Sequence, residues 1–167
     1  ALDWEAEKPI YDSIIALYDQ YCETTDPEQR EKLATQINEC SMREAKVSST
    51  EDFFNLLDLI GAEGVNAFTS FDVTAYHNSF PEAEMYRWLT IFSDRLIDPV
   101  FRTFQAELEN VFEEYNMYAN NPSSQASKQL MQDIYKGSPY ERDVIGHPEH
   151  LKNPRLSKLI EFYNTWY

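Results

Sequence analysis

The stretch from Gly64 to Phe80 constrains the fold most, because it is the only good strand signal in a chain that otherwise has helical periodicity. It predicts a β-hairpin at about residues 65–80 in a mostly helical setting. An exposed hairpin offers backbone N–H and C=O groups along its edges, with which another peptide can pair. The stretch also has a polar character that a purely structural strand does not need, given by Asn66, Thr69, Ser70, Asp72, Thr74 and Tyr76.

Helix start signals and apolar spacing divide the rest of the chain into helices. The first helix is predicted to begin at Pro9, since proline suits the first turn of a helix. A later helix, opened by Pro81, has an apolar stripe that we predict to be buried, formed by Met85, Trp88, Leu89, Phe92 and Leu96. The predicted helices cover about residues 9–22, 25–46, 49–60, 81–97, 100–118, 123–135 and 154–165, and residues 140–153 are expected to be irregular.

Length and charge limit the kind of protein. The 167 residues are enough for one domain with a real core. The formal net charge of −15 argues against nucleic-acid binding, because phosphates would be repelled over most of the surface. An acidic surface favours solubility and also permits attraction of basic peptides. No run of about 18 apolar residues occurs, so no membrane span is expected. Since the chain begins with alanine and ends on an apolar run, we expect it to be part of a longer protein.

Cysteines and histidines give no strong metal signal. Cys22 and Cys40 have no partner at metal-site spacing, so buried free thiols are the default interpretation, and a disulfide between them stays open. His147 and His150 are spaced like a ligand pair, but the proline between them favours a loop or a helix start. His77 falls in the second strand, where a packed or solvated side chain is favoured over a ligand.

Glu107 is the most informative acid of the chain. It lies three residues after Phe104 and four before Val111, which predicts a position on the inward face of its helix. A carboxylate on an apolar stripe is costly unless it is paired or binds a metal. The residues alone leave open a structural ion pair, a place at the edge of the stripe, and a metal or catalytic role. The other glutamates of the helix fall more toward its polar side, namely Glu109, Glu113 and Glu114.

Several segments, taken in order, resemble one family. Residues 66–76 match the pattern Asn-Ala-x-Thr-x-x-x-x-Thr-x-Tyr of the insulinase–pitrilysin family of zinc metallopeptidases. Residues 104–114 and the Asn-Pro pair that follows resemble the helix that bears the family's third zinc ligand. Residues 138–146 and 159–167 are similar to later elements of the family. The resemblance runs from about residue 51 to the end, whereas residues 1–50 look like a helical insertion of some bacterial members.

The resemblance implies an α+β fold, a zinc ion and hydrolysis of peptide bonds by zinc-activated water. In the family, the two histidines of a His-x-x-Glu-His motif and a glutamate on a later helix bind zinc, and the glutamate of the motif is the general base. On that pattern Glu107 is the third zinc ligand, and Asn66, Ala67 and Phe68 lie on the strand that pairs with an extended peptide substrate. The implied partners are that peptide and a second peptidase-like half. Export to the periplasm or cell envelope is a family expectation for a bacterial parent, and the compartment itself stays unknown.

Two departures from the family pattern limit the prediction. The His-x-x-Glu-His motif does not occur in this sequence, and Val100 stands where some members carry an acid. No catalytic residue is therefore assigned, and we expect the chain by itself to be inactive and to bind zinc weakly or not at all. We interpret residues 1–167 as one partial peptidase domain, with a helical insertion at 1–50 and the family core segment at 51–167.

Three functions stay open for the protein that contains this chain. It is an active zinc metalloendopeptidase, a non-catalytic member of the family that serves as a binding or scaffold half, or an unrelated acidic helical interaction domain. We also expect the edges of the hairpin to pair with another copy of the chain when their neighbours are missing.

Overall fold

The computed structural model describes residues 3–167, which form eight α-helices and one β-hairpin. The helices are α1 (Trp4–Glu23), α2 (Pro27–Glu44), α3 (Asp52–Leu59), α4 (Met85–Ile97), α5 (Phe104–Ala119), α6 (Pro122–Ile134), α7 (Pro148–Leu151) and α8 (Leu156–Trp166). Strands β1 (Glu63–Thr69) and β2 (Thr74–Ser79) pair antiparallel, and short 3₁₀ turns cover Glu82–Glu84 and Pro139–Glu141. The predicted α+β class, mostly helical with one hairpin, is confirmed.

Helix α1 begins at Trp4, earlier than predicted, so Pro9 lies inside the helix. The Asp3 side chain accepts a hydrogen bond of 3.0 Å from the Ala6 N–H and thereby caps the helix. Two acids in the first turn, Glu5 and Glu7, suit the positive end of the helix dipole. These signals outweigh the proline, which therefore does not mark the start of the helix.

The first buried cluster holds α1 against α2 and α8. Its members are Tyr11, Ile14 and Tyr18 of α1, Ile37 of α2 and Leu156 of α8. A short linker joins α1 to α2, which makes the two helices antiparallel neighbours. Each large apolar side chain buried in this way contributes roughly 1.5–3 kcal/mol.

The second buried cluster links α3, the hairpin and α4. Leu57, Ile60 and Ala62 are its buried members, and Phe80 and Trp88 pack against it with stacked rings 4.6 Å apart. After α3 the chain turns at a glycine with a φ of 70°, where the Ala62 N–H bonds the Leu57 carbonyl at 2.9 Å. This helix ending, which favours glycine, directs the chain from α3 into β1.

The apolar stripe predicted for α4 is only partly buried. Trp88 and Phe92 pack on the second cluster, but Met85, Leu89 and Leu96 are 43%, 45% and 46% exposed. The prediction was wrong for these three because α4 packs against α3 along a narrow face. Residues outside that face meet solvent even though their helical spacing is right.

The segment expected to be irregular contains a short helix, α7. His147 caps it, and its Nδ1 accepts the Glu149 N–H at 3.4 Å. The favoured helix-start role of His147 is therefore confirmed. Across residues 3–167, no helix combines the length and the apolar character that crossing a bilayer requires.

Candidate functional site

The three residues predicted to bind substrate lie in the paired part of β1. Asn66, Ala67 and Phe68 stand opposite His77, Tyr76 and Ala75 of β2. All three are exposed, and Phe68 retains 54% of its accessible surface. Because the sheet formed by residues 3–167 has two strands, each strand has one edge that no other strand in this range covers.

The Asn66 side chain already bonds one of the backbone N–H groups of this strand. Its Oδ1 accepts a hydrogen bond of 2.8 Å from the Ala67 N–H. A side chain that satisfies a backbone donor makes an exposed strand less prone to unwanted pairing. A peptide that uses the Ala67 N–H must therefore displace the Asn66 amide first.

A cleft of about 960 Å³ opens beside the hairpin. Ala67 and Phe68 lie on one wall, and residues of α5, α6 and the segment 140–145 form the others. Aromatic rings are prominent in the lining, contributed by Phe68, Phe71, Tyr76, Tyr115, Tyr118 and Tyr140. Its size falls in the range of ligand-binding sites, which are mostly apolar with a few polar groups.

One face of α5 supplies a wall of this cleft. Val111, Glu114 and Tyr118 are spaced by three and four residues, and all three line the cleft. The start of the helix instead packs on α1, where the rings of Phe104 and Tyr18 meet edge to face at 5.1 Å. The helix therefore lies between the first buried cluster and the open cleft.

Glu107 is exposed, so the prediction that it points to the interior was wrong. The inward face of α5 is set by Phe104, whereas Val111 lines the cleft and is 36% exposed. Within residues 3–167 the Glu107 carboxylate has no hydrogen-bond or ion-pair partner, so the structural ion pair considered for it is not found there. Its side chain is on the side of α5 that leads to the cleft, but Glu107 is not part of the lining.

Glu114 is the α5 acid that lines the cleft, although the sequence placed it toward the polar side. It lies seven residues after Glu107, which is two helical turns, so both acids share one face. The sequence does contain a signal for this face, because acidic and apolar residues alternate at helical spacing at Glu107, Val111, Glu114 and Tyr118. It was missed because Phe104 and Val111 together were used to define the inward face, whereas Phe104 packs on α1 and Val111 lines the cleft.

The tip of the hairpin is fastened to the segment that follows α6. The Tyr140 hydroxyl donates to Asp72 Oδ1 at 2.6 Å, and Arg142 Nη2 donates to the Phe71 carbonyl at 3.3 Å. The rings of Phe71 and Tyr140 meet edge to face at 5.5 Å. The hydrogen bond to Asp72 raises the pKa of Tyr140. We call these contacts of Phe71, Asp72, Tyr140 and Arg142 the tip clasp.

An ion pair joins two other walls of the cleft. Lys128 of α6 lies 2.8 Å from Asp143, and both residues line the cleft. The hydrogen bond to Asp143 raises the pKa of Lys128. Since both side chains are about one-third exposed, the pair contributes little to stability, and it links α6 to the segment 140–145.

The part of the chain that the structure describes contains no cluster of three or more metal-binding side chains. The rings of His147 and His150 lie 5.6 Å apart, and His147 is engaged as a helix cap. Cys22 and Cys40 are free thiols, so the disulfide left open by the sequence is not formed. The carboxylates that line the cleft are those of Glu114 on α5 and of Glu141 and Asp143 in the segment after α6.

Comparison with known proteins bears on this site. A family model described as insulinase, peptidase family M16, matches residues 31–147. An uncharacterized zinc protease of Bacillus subtilis strain 168, YmfH, is 34% identical over 104 residues. That alignment covers 61% of this chain and 24% of the relative, so the chain spans about a quarter of the relative's length.

The family match begins twenty residues earlier than the resemblance noted from the sequence, at residue 31 instead of about residue 51. It includes most of α2, the hairpin, α5 and the whole tip clasp. The match covers more than half of the chain and agrees with the α+β fold. The chain therefore belongs to the insulinase family of peptidases, family M16.

Proposed function

We propose that this chain is the part of a zinc metalloendopeptidase that holds an extended peptide substrate beside the metal. The observation that carries the proposal is the cleft, which has β1 on one wall and an acidic face of α5 on another. The family membership and the printed description of YmfH as a zinc protease support it. We further propose that residues 51–167 form the family core segment and residues 1–50 a helical insertion.

The substrate is proposed to pair with the exposed edge at Asn66, Ala67 and Phe68. Backbone hydrogen bonds to a strand edge give affinity with little dependence on the peptide sequence. The aromatic lining next to Phe68 offers contact area for apolar side chains of the peptide. Displacement of the Asn66 amide from the Ala67 N–H is the cost of forming this pairing.

Helix α5 is proposed to supply one zinc ligand. Glu107 is the ligand that the resemblance implies, and Glu114 is a second candidate because it lines the cleft. Either carboxylate fits this role chemically, since carboxylate oxygen binds zinc and both side chains are exposed. One carboxylate does not make a zinc site, so the other ligands must come from residues outside this chain. Zinc, when bound, lowers the pKa of its water to about 7 and so supplies a nucleophile at neutral pH.

The test uses the intact protein that contains this chain. Glu107→Gln and Glu114→Gln are compared with Glu113→Gln, an exposed neighbour that does not line the cleft. Zinc content by elemental analysis and cleavage of an unstructured peptide are measured for each. We expect one of the first two variants to lose zinc and activity by at least about tenfold, because a ligand carboxylate is lost.

The pattern of losses decides between the candidates. Loss in Glu107→Gln alone supports the ligand implied by the resemblance, and loss in Glu114→Gln alone supports the acid in the cleft wall. Unchanged zinc content in both variants contradicts a ligand on α5. An intact wild-type protein that contains no zinc and cleaves no peptide contradicts the enzyme and supports a non-catalytic binding or scaffold half.

A further inference from the structure

We infer that Arg102 is a positioning residue, which holds the start of α5 against α1 through a buried ion pair with Glu7. The consequence for catalysis rests on the proposed function, because α5 carries Glu107 and Glu114. The positioning itself does not depend on that function. It depends on contacts between α1 and residues 101–104.

The ion pair is two-pronged and removed from solvent. Arg102 Nη2 donates to Glu7 Oε2 at 3.0 Å, and Arg102 Nε donates to Glu7 Oε1. The Glu7 side chain has no exposed surface, and the Arg102 side chain is 19% exposed. A guanidinium held by both carboxylate oxygens fixes direction as well as distance. The pair therefore limits both the position and the rotation of the segment that leads into α5.

Two further contacts come from the same face of α1. The Tyr11 hydroxyl accepts a hydrogen bond of 3.3 Å from the Phe101 N–H, and the Tyr18 ring meets the Phe104 ring edge to face. Glu7, Tyr11 and Tyr18 are spaced by four and seven residues, so they lie on one helical face. This face of α1 therefore contacts three residues just before and at the start of α5, namely Phe101, Arg102 and Phe104.

The held segment has a conformation that needs support. Thr103, the residue before α5, has a φ of 54°, which is unfavourable for a β-branched residue. Such conformations persist where the surroundings impose them. The contacts of Phe101, Arg102 and Phe104 flank Thr103 on both sides and so impose the turn that sets where α5 begins.

Charge balance also favours positioning over general stabilisation. Glu44 is 4% exposed and lies near the pair, and its Oε1 has no hydrogen-bond partner among residues 3–167. Two buried carboxyl groups around one guanidinium are a poor way to stabilise a fold, because desolvation of charges is costly. An apolar cluster of the same volume would stabilise at least as well, so the ion pair is better explained by the geometry that it enforces.

The experiment is amide hydrogen exchange of the protein with Arg102→Lys and Arg102→Gln. Asp12→Asn is the matched control. It removes an exposed ion pair with Lys8 on α1, the helix that also carries Glu7. We expect exchange of the amides at residues 107–111 to become about tenfold faster or more, since the helix start loses its anchor. Exchange in α3 and α6 is expected to stay unchanged, as is exchange in the control.

The outcomes either support or overturn the inference. Unchanged exchange at residues 107–111 in both Arg102 variants overturns it. Faster exchange by the same factor throughout the chain also overturns it, because the pair would then be a general stabiliser. If Arg102→Gln fails to fold, the Arg102→Lys variant decides, since it keeps the charge and loses the two-pronged geometry.

Peptide cleavage by the intact protein separates this inference from the proposed function. A wild-type protein that cleaves no peptide contradicts the function, while the exchange result still decides the positioning. If the wild type is active, Arg102→Lys should lower kcat more than it raises KM, because the edge at Ala67 is unaltered. A change confined to KM contradicts the role of Arg102 in aligning α5.

Discussion

The surroundings of Glu44 are unfavourable to the charge of its carboxylate. Its carboxyl group is buried at the end of α2, close to the ion pair of Glu7 and Arg102. Burial raises the pKa of Glu44, and the charge of Glu7 raises it further. Arg102 and the Thr103 N–H act in the opposite direction but do not reverse the shift.

Replacing Glu44 with glutamine is expected to make stability less dependent on pH. The pKa of Glu44 is higher in the folded than in the unfolded state, so the folded state binds the proton more tightly. Its favourable contribution is complete below the unfolded pKa and is lost as pH rises through the folded pKa. The charged and titratable groups that face Glu44 are Glu7, Tyr11 and Arg102. Urea unfolding between about pH 4 and pH 8 measures the effect.

The matched control for that series is Glu31→Gln, which removes an exposed carboxylate from the same helix. We expect the free energy of unfolding of Glu44→Gln to fall less than that of the wild type as pH rises. Glu31→Gln is expected to follow the wild type. Equal slopes for wild type and Glu44→Gln would show that the Glu44 carboxyl does not titrate differently in the two states.

At the scale of elements, the hairpin depends on contacts made far along the chain. Two strands alone are marginal in water, because they bury little surface. Here the base of the hairpin is held by the second buried cluster through Val65 and Phe80. Its tip is held by the tip clasp, in which Tyr140 and Arg142 reach across to residues 71 and 72.

Removing the hydroxyl of Tyr140 is expected to loosen the tip of the hairpin. Tyr140→Phe keeps the ring contact with Phe71 and deletes the hydrogen bond to Asp72. Amide exchange at residues 70–73 should become severalfold faster, because one of the tertiary contacts of the tip is lost. Tyr135→Phe is the control, since Tyr135 packs near Tyr140 but makes no hydroxyl hydrogen bond within residues 3–167. Equal exchange in the two variants would show that the hydroxyl does not restrain the tip.

At the scale of the whole molecule, the chain has two separate buried clusters and a large apolar surface. Side chains such as Leu59, Ile97 and Trp166 are 81%, 80% and 74% exposed. A contiguous apolar patch on a surface marks a site where another surface packs, so we expect some of these side chains to contact a partner in the intact protein.

Self-association through the hairpin is expected to depend on the strand edge. Phe68→Lys places a charge on β1, and charged side chains on an edge strand oppose pairing. Phe54→Lys is a matched control, because both phenylalanines are 54% exposed and Phe54 lies on α3. Sedimentation over a range of concentrations should show weaker association for Phe68→Lys alone. Equal weakening by both variants would assign the association to general apolar contact.

Zinc affinity is the second property that belongs to the whole molecule. The 167-residue chain is expected to bind zinc weakly, because single carboxylates on α5 cannot form a tetrahedral site. Equilibrium dialysis measures the zinc affinity of the wild type and of the single variants Glu107→Gln and Glu114→Gln. Each is measured both as the 167-residue chain and as the intact protein. One of the substitutions should matter in the intact protein, and neither should matter in the chain. Stoichiometric, tight zinc in the chain would contradict this expectation.

Local signals in the sequence were sufficient for most elements. Gly61 and the strand pattern after it predict the turn into the hairpin, and the helix predicted at 123–135 agrees with α6 to within one residue at each end. The exceptions are instructive. The start of α1 was misplaced because Pro9 is a strong local signal, although the cap at Asp3 and the acids after it decide the start.

Which face of a helix is buried is harder to predict than where the helix begins and ends. The sequence by itself determined most of the elements and the hairpin, because these depend on residues close together in the chain, and it indicated the family through several motifs that occur in order. Only the tertiary structure decided that Glu107 is exposed, that Glu114 lines the cleft, and that Arg102 meets Glu7. Helical spacing shows which residues share a face, but which face is covered depends on elements brought close by folding from distant parts of the chain.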